Sequence, residues 1–169
     1  MKNIIVIVLA SIFGSAIWAA GAAAETAKQG SGDYRGAKSG TFEILKLGEN
    51  RLQFNYDETG VMVDAPDGSP FVNASYRALG TLHAIEGKWK GTGSIRFTCA
   101  NGDLIFGTIE NEGAFGMGPT SGTITLIGGT GGCSGITGTL EFLPRPEVKA
   151  SKEGTYQGIG IGKVNWTLP

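Results

Sequence analysis

From about residue 40 onward, apolar residues recur at every second position in short runs, and clusters of Gly, Asn, Asp, Ser and Pro separate the runs. That period is the mark of half-buried β-strands. Residues 51–57 alternate cleanly, with Leu52, Phe54 and Tyr56 on one face and Arg51, Gln53, Asn55 and Asp57 on the other. A first strand is expected at 41–47, ended by a turn at Gly48-Glu49-Asn50. Glu58-Thr59-Gly60 reads as a second turn, leading into a short strand over 61–65 with Val61 and Val63 on one face. After the break at Pro66-Asp67-Gly68-Ser69-Pro70, residues 71–85 form one long strand or two strands bent about Gly80. One face there gathers Val72, Ala74, Tyr76, Ala78, Leu82 and Ala84. Glu86-Gly87-Lys88 turns the chain again.

Residues 91–111 can be paired on paper. Asn101-Gly102 suits a two-residue type I′ turn, which needs positive φ at both central positions. A turn there sets Cys99 against Leu104, Phe97 against Phe106 and Ile95 against Thr108. One face then carries Ile95, Phe97, Cys99, Leu104 and Phe106, and the other Ser94, Arg96, Thr98, Ile105, Gly107 and Ile109. Further strands are expected at 121–127, at 139–143 and at 155–168. Pro144-Arg145-Pro146 ends the second of these, because proline donates nothing to a ladder. In the last, the apolar face changes phase from Ile159 and Ile161 to Val164, Trp166 and Leu168, which predicts a bulge near Gly162.

No segment after residue 24 holds a 3.6-residue apolar stripe. About eight strands in sequence with short turns predict an all-β, antiparallel, closed barrel of about eight strands, with a β-sandwich as the alternative. Small side chains on long strands let a sheet curl tightly, which favours the barrel.

The first residues change the picture of the whole. Met1-Lys2-Asn3, an apolar run and Ala22-Ala23-Ala24 have the layout of an export signal helix with its cleavage site. Residues 1–24 are therefore expected to be a signal peptide, 25–39 a flexible segment, and 40–169 a single barrel domain. Cleavage leaves no anchor in the membrane and an exported, periplasmic or secreted product. The 145 residues that remain carry 13 basic and 15 acidic side chains. That balance is without the basic stripe needed to bind nucleic acid or an anionic membrane. They also keep 27 of the 29 glycines, far above ordinary usage.

Candidate chemistry is sparse. Cys99 and Cys133, with 33 residues between them, suit one disulfide in an oxidising compartment, or two buried thiols. One His, two distant Cys and no acidic cluster give no metal-ligand spacing and no cofactor motif. His83 is the sole histidine and lies on a strand's polar face, where a solvated or structural role competes with that of a base. Arg77, Arg96 and Glu141 fall within strands. An inward pair among them would fix a polar ligand group or simply satisfy itself. The 128–138 stretch GGTGGCSGITG invites comparison with phosphate loops, but it lacks their lysine and a following helix, and strand bending accounts for it.

Two stretches resemble a known family. Residues 99–107, CANGDLIFG, and 128–142, GGTGGCSGITGTLEF, are similar to segments of small exported bacterial proteins of unknown function. The fold of those proteins looks like the allene oxide cyclase-like barrels within the calycin-like group. The resemblance implies an eight-stranded barrel able to hold a small apolar molecule, and it transfers no catalytic residue to this chain. Gly87-Lys88-Trp89 also resembles the G-x-W of lipocalins, which would place Trp89 at a barrel end. Three functions follow as expectations: binding of a small apolar or amphipathic molecule, a filled structural barrel, or a cyclase-type enzyme. The weak ligand-binding candidates are Arg77, His83, Trp89, Arg96 and Glu141.

Overall fold

The computed structural model describes residues 26–115, 118–144 and 148–169. The expected signal helix of residues 1–24 lies outside them. Eight strands run in chain order: β1 (Gln29–Gly48), β2 (Arg51–Asp64), β3 (Ser75–Ile85), β4 (Lys88–Thr98), β5 (Leu104–Ala114), β6 (Gly118–Gly129), β7 (Thr137–Phe142) and β8 (Thr155–Thr167). Each pairs antiparallel with its sequence neighbour, and β8 returns to β1 to close an up-and-down barrel. An eight-stranded antiparallel closed barrel is consistent with a calycin-like fold.

Closure depends on the length of β1. Its 20 residues pair with β8 from Gln29↔Thr167 to Thr41↔Thr155, and with β2 from Arg35↔Asp64 to Gly48↔Arg51. This stagger is the shear that lets tilted strands meet. Residues 29–39, expected as part of a mobile segment, are thus the first half of the seam strand. Their small polar outward residues hid an inward Tyr34, Gly36 and Lys38.

Three local expectations are corrected. The segment Glu58-Thr59-Gly60 is not a turn, since β2 runs straight through it with Thr59 paired to Ser39 and Arg77. At the β4–β5 hairpin, Cys99 N–H donates to the Asp103 carbonyl and Gly102 N–H to the Cys99 carbonyl, which leaves a three-residue loop. Only Gly102 has positive φ there, at 88°. The Asn101 side chain takes the Asp103 N–H at 3.0 Å, an Asx turn in place of the type I′ turn. Phe97 therefore faces Ile105, not Phe106. A one-residue slip exchanges the faces of a strand, so Ile105, Gly107 and Ile109 point inward. The hairpin with two positive φ values is Glu86-Gly87, at 51° and 80° between β3 and β4. Finally, β8 pairs with β1 without a bulge. Its inward positions run Tyr156, Gly158, Gly160, Gly162, Val164 and Trp166, and Ile159 simply faces out.

One end of the barrel is solid. It carries the β2–β3, β4–β5 and β6–β7 connections, and Phe71, Phe97, Ile105, Ile136, Leu140 and Val164 are almost wholly removed from water there. Phe71 comes from the β2–β3 loop and meets Phe97 edge-on at 5.1 Å between ring centres. The glycine-rich segment crosses this end through a short 3₁₀ turn, Gly131–Cys133. The anion its backbone holds belongs to the chain itself, for Asp103 Oδ2 accepts the Gly132 N–H at 2.8 Å. Outside, β2 to β4 present Asn55, Asp57, Arg77, His83, Lys90 and Arg96, a wall solvated by water.

Candidate functional site

The other half of the barrel is hollow. A cavity of about 650 Å³ opens between the ends of the strand pairs, within the range of small-molecule sites. Its floor is formed by Tyr34, Met62, Tyr76 and Phe97, and its mouth by Phe42, Phe54, Phe115, Leu143 and Val148. The mouth aromatics support one another. Phe42 lies 6.0 Å from Phe54 and 6.2 Å from Tyr156, and Phe54 lies 5.4 Å from Phe115.

Glycines keep the space open. Tyr156 pairs with Gly40 across the seam, Tyr76 with Gly60, and Tyr56 with Gly80. At each of these glycines a methyl group would run into the facing tyrosine ring. The rings therefore lie along the wall rather than across the lumen, a way of covering glycine that sheets use repeatedly.

Among the described residues, one ion pair stands within this largely apolar space. Lys38 Nζ on β1 donates to Glu58 Oε2 on β2 at 2.8 Å, and the two side chains are 24% and 13% exposed. The Lys38 ammonium also sits 5.7 Å from the centre of the Tyr156 ring. Burial and then the neighbouring Glu58 charge push the Tyr56 phenol up to about 12. The same two causes, in the same order, raise the Tyr156 phenol as well. These phenols are hydrogen-bonding groups at ordinary pH, not bases. Across the lumen, Asn111 faces the same cavity from β5.

Of the residues singled out from the sequence, Trp89 alone lines this cavity; it is buried beside the Glu86-Gly87 turn, at the open end. Arg77 is outside, forked onto Asp57 at 2.9 and 2.6 Å. That fork holds the Asp57 carboxyl below its ordinary value. His83, Arg96 and Glu141 are exposed on the outer wall, so no inward Arg–carboxylate pair forms among the candidates. The inward pair is Lys38–Glu58. Sequence patterning alone hides both, since it reads one within a mobile segment and the other within a turn. The available signal was the continuous alternation of Phe54, Tyr56, Glu58, Gly60 and Met62 along one strand.

Cys99 and Cys133 do meet, but at the packed end and as free thiols, with their sulfurs 3.7 Å apart. The expected disulfide is not formed. Burial first, and the adjacent Cys133 second, push the Cys99 thiol up to about 12, and burial raises Cys133 as well. Thiols so protonated are poor nucleophiles. Among the described residues, no group of three His, Cys, Asp or Glu side chains stands close enough to hold a metal. No protein-family model matches the chain, and a search of curated proteins finds no significant match to it.

Proposed function

We propose that this protein is an exported carrier that holds one small apolar or amphipathic molecule inside its barrel. The observation that supports this most is the cavity of about 650 Å³ within the barrel, walled mainly by aromatic and aliphatic side chains, with Lys38, Glu58, Asn111, Lys149 and Gln157 among its polar members. A void of that size distinguishes this reading from a barrel filled by its own side chains. The resemblance of residues 99–107 and 128–142 to exported allene oxide cyclase-like barrels points the same way, as does the signal-like layout of residues 1–24. Export would also put Cys99 and Cys133 where an oxidant can join them.

Titration with Nile red, an uncharged dye that brightens in apolar surroundings, tests the reading. Saturable brightening at one dye per chain is expected. The variant Ile109→Trp, which fills the lumen from β5, should abolish it while the protein stays folded by circular dichroism. Absence of saturable binding, or equal binding by the filled variant, rejects the proposal.

A further inference from the structure

The charges on the cavity wall do not balance. Among the described lining residues they are Lys38, Glu58 and Lys149. Lys38 has its counter-ion, since its ammonium lies 2.8 Å from Glu58 Oε2. Lys149 is exposed at the opening and makes no ion pair with any described residue. The fold brings it there. Strand β7 ends at Phe142, opposite Gly162, and leaves the wall beyond it to the segment that carries Lys149. Within that segment Val148 bridges Gln157 of β8. One residue further in the same register, Lys149 comes opposite Tyr156, and alternation puts it on the face from which Tyr156 lines the lumen. The cavity therefore holds two ammonium groups against one carboxylate, and the surplus charge sits at the opening.

What this surplus selects follows from electrostatics. A cationic head at the opening is repelled by Lys149, and the one described lining carboxylate, Glu58, is already engaged by Lys38. An anionic head meets Lys149 there while keeping part of its water. Carried deeper, it would lose that water and approach Glu58, which costs more than the apolar lumen returns. A chain attached to it has somewhere to go, for Ile95, Ile109, Ile124 and Leu140 form an apolar wall across the lumen from Lys38 and Glu58. Resting on the carrier reading above, we propose that Lys149 selects the charge of the cargo, and that the cargo is an amphipath with one negative charge on its head, of the carboxylate kind. It lies chain inward over Ile95, Ile109 and Ile124, with its head beside Lys149 in the opening. One negative charge answers the one unpaired cation; a second would have no counter-charge on the described wall.

The test compares probes with the same chain and opposite heads, decanoate and decylammonium, as displacers of Nile red from the full chain at neutral pH, with uncharged 1-decanol as the reference. One exposed attraction for the anion and one repulsion for the cation predict that decanoate displaces about three- to tenfold more tightly than decylammonium. Concentrated salt shrinks that advantage. In Lys149→Met the ratio falls to within about twofold of unity, and in Lys149→Glu it reverses. Lys149 is exposed, so neither change disturbs packing. A preference for the cation in the unmodified protein, or an anion preference of the same size in Lys149→Met, overturns the assignment of Lys149 while leaving the carrier reading intact. Failure of Nile red itself to bind overturns both.

Discussion

The two ends of this barrel share eight strands and differ in what those strands point inward. At the packed end, Phe97, Ile105, Leu140 and Val164 interdigitate beneath Phe71 and Ile136, and almost no surface is left to water. In the hollow half, Tyr34, Tyr56, Tyr76 and Tyr156 on β1, β2, β3 and β8 each face a glycine of a neighbouring strand, and each ring is laid over it. The ladder from β8 through β1 to β6 continues into the hollow half, whereas β7 stops at Phe142, opposite Gly162, and Leu143 and Val148 to Ala150 line the cavity beyond it. Stability is concentrated where side chains mesh. The hollow half can give up packing because the solid half and the closed ladder already hold the wall.

This division can be broken most directly by truncation. Phe97→Ala should cost about 3–5 kcal/mol, as large-to-small changes in a well-packed core do. Leu82→Ala, on the cavity wall, should cost about 1 kcal/mol, because that side chain has fewer neighbours to lose. Urea midpoints measure both, and equal costs would remove the distinction between the two halves. The next largest effect belongs to the thiols of the packed end. Equilibration with oxidised glutathione should join Cys99 to Cys133, with two glutathione thiols released, and raise stability by about 3–4 kcal/mol on the chain-entropy account. Dye affinity in the hollow half should stay unchanged. If two alkylatable thiols persist after this treatment and denaturation, the pair does not close.

The smallest effect reads the ion pair through its neighbours. Tyr56 ionises at about 12 in the folded protein against 10.0 ordinarily. A value raised by folding contributes stability that is complete below pH 10 and is lost as the pH rises through about 12. In Glu58→Gln one of the causes is gone and Lys38 is left without its counter-charge, so the phenolate absorbance of the folded protein should appear at lower pH. An unchanged titration curve would mean that Glu58 does not govern these tyrosines.

Fold class was legible from the sequence because alternation and turn residues are local signals, and they marked most of the eight strands. What was not legible depends on partners far along the chain. The loop at Asn101 was assigned by dipeptide preference, whereas the Asx turn and a single positive φ at Gly102 set a three-residue loop and reversed the faces of β5. The phase of β8 is hard to read because three of its six inward positions are glycine, so the outward Ile159 looks like part of the buried face. The ion pair escaped for a related reason. Charged and glycine residues signal turns on most strands, but in this hollow barrel they also line the lumen. Only the pairing of β1 with both β8 and β2 shows that Lys38 points inward.

The seam strand also decides how the molecule can be held. Gln29 pairs with Thr167, the Leu168 N–H donates to the Lys28 carbonyl at 2.6 Å, and Lys28 Nζ donates to the Pro169 carbonyl at 2.7 Å. Both extremities of the domain therefore emerge side by side from the solid end. A tether fused to either one, or a surface to which either one is fixed, leaves the opening pointed away from the attachment and open to solvent.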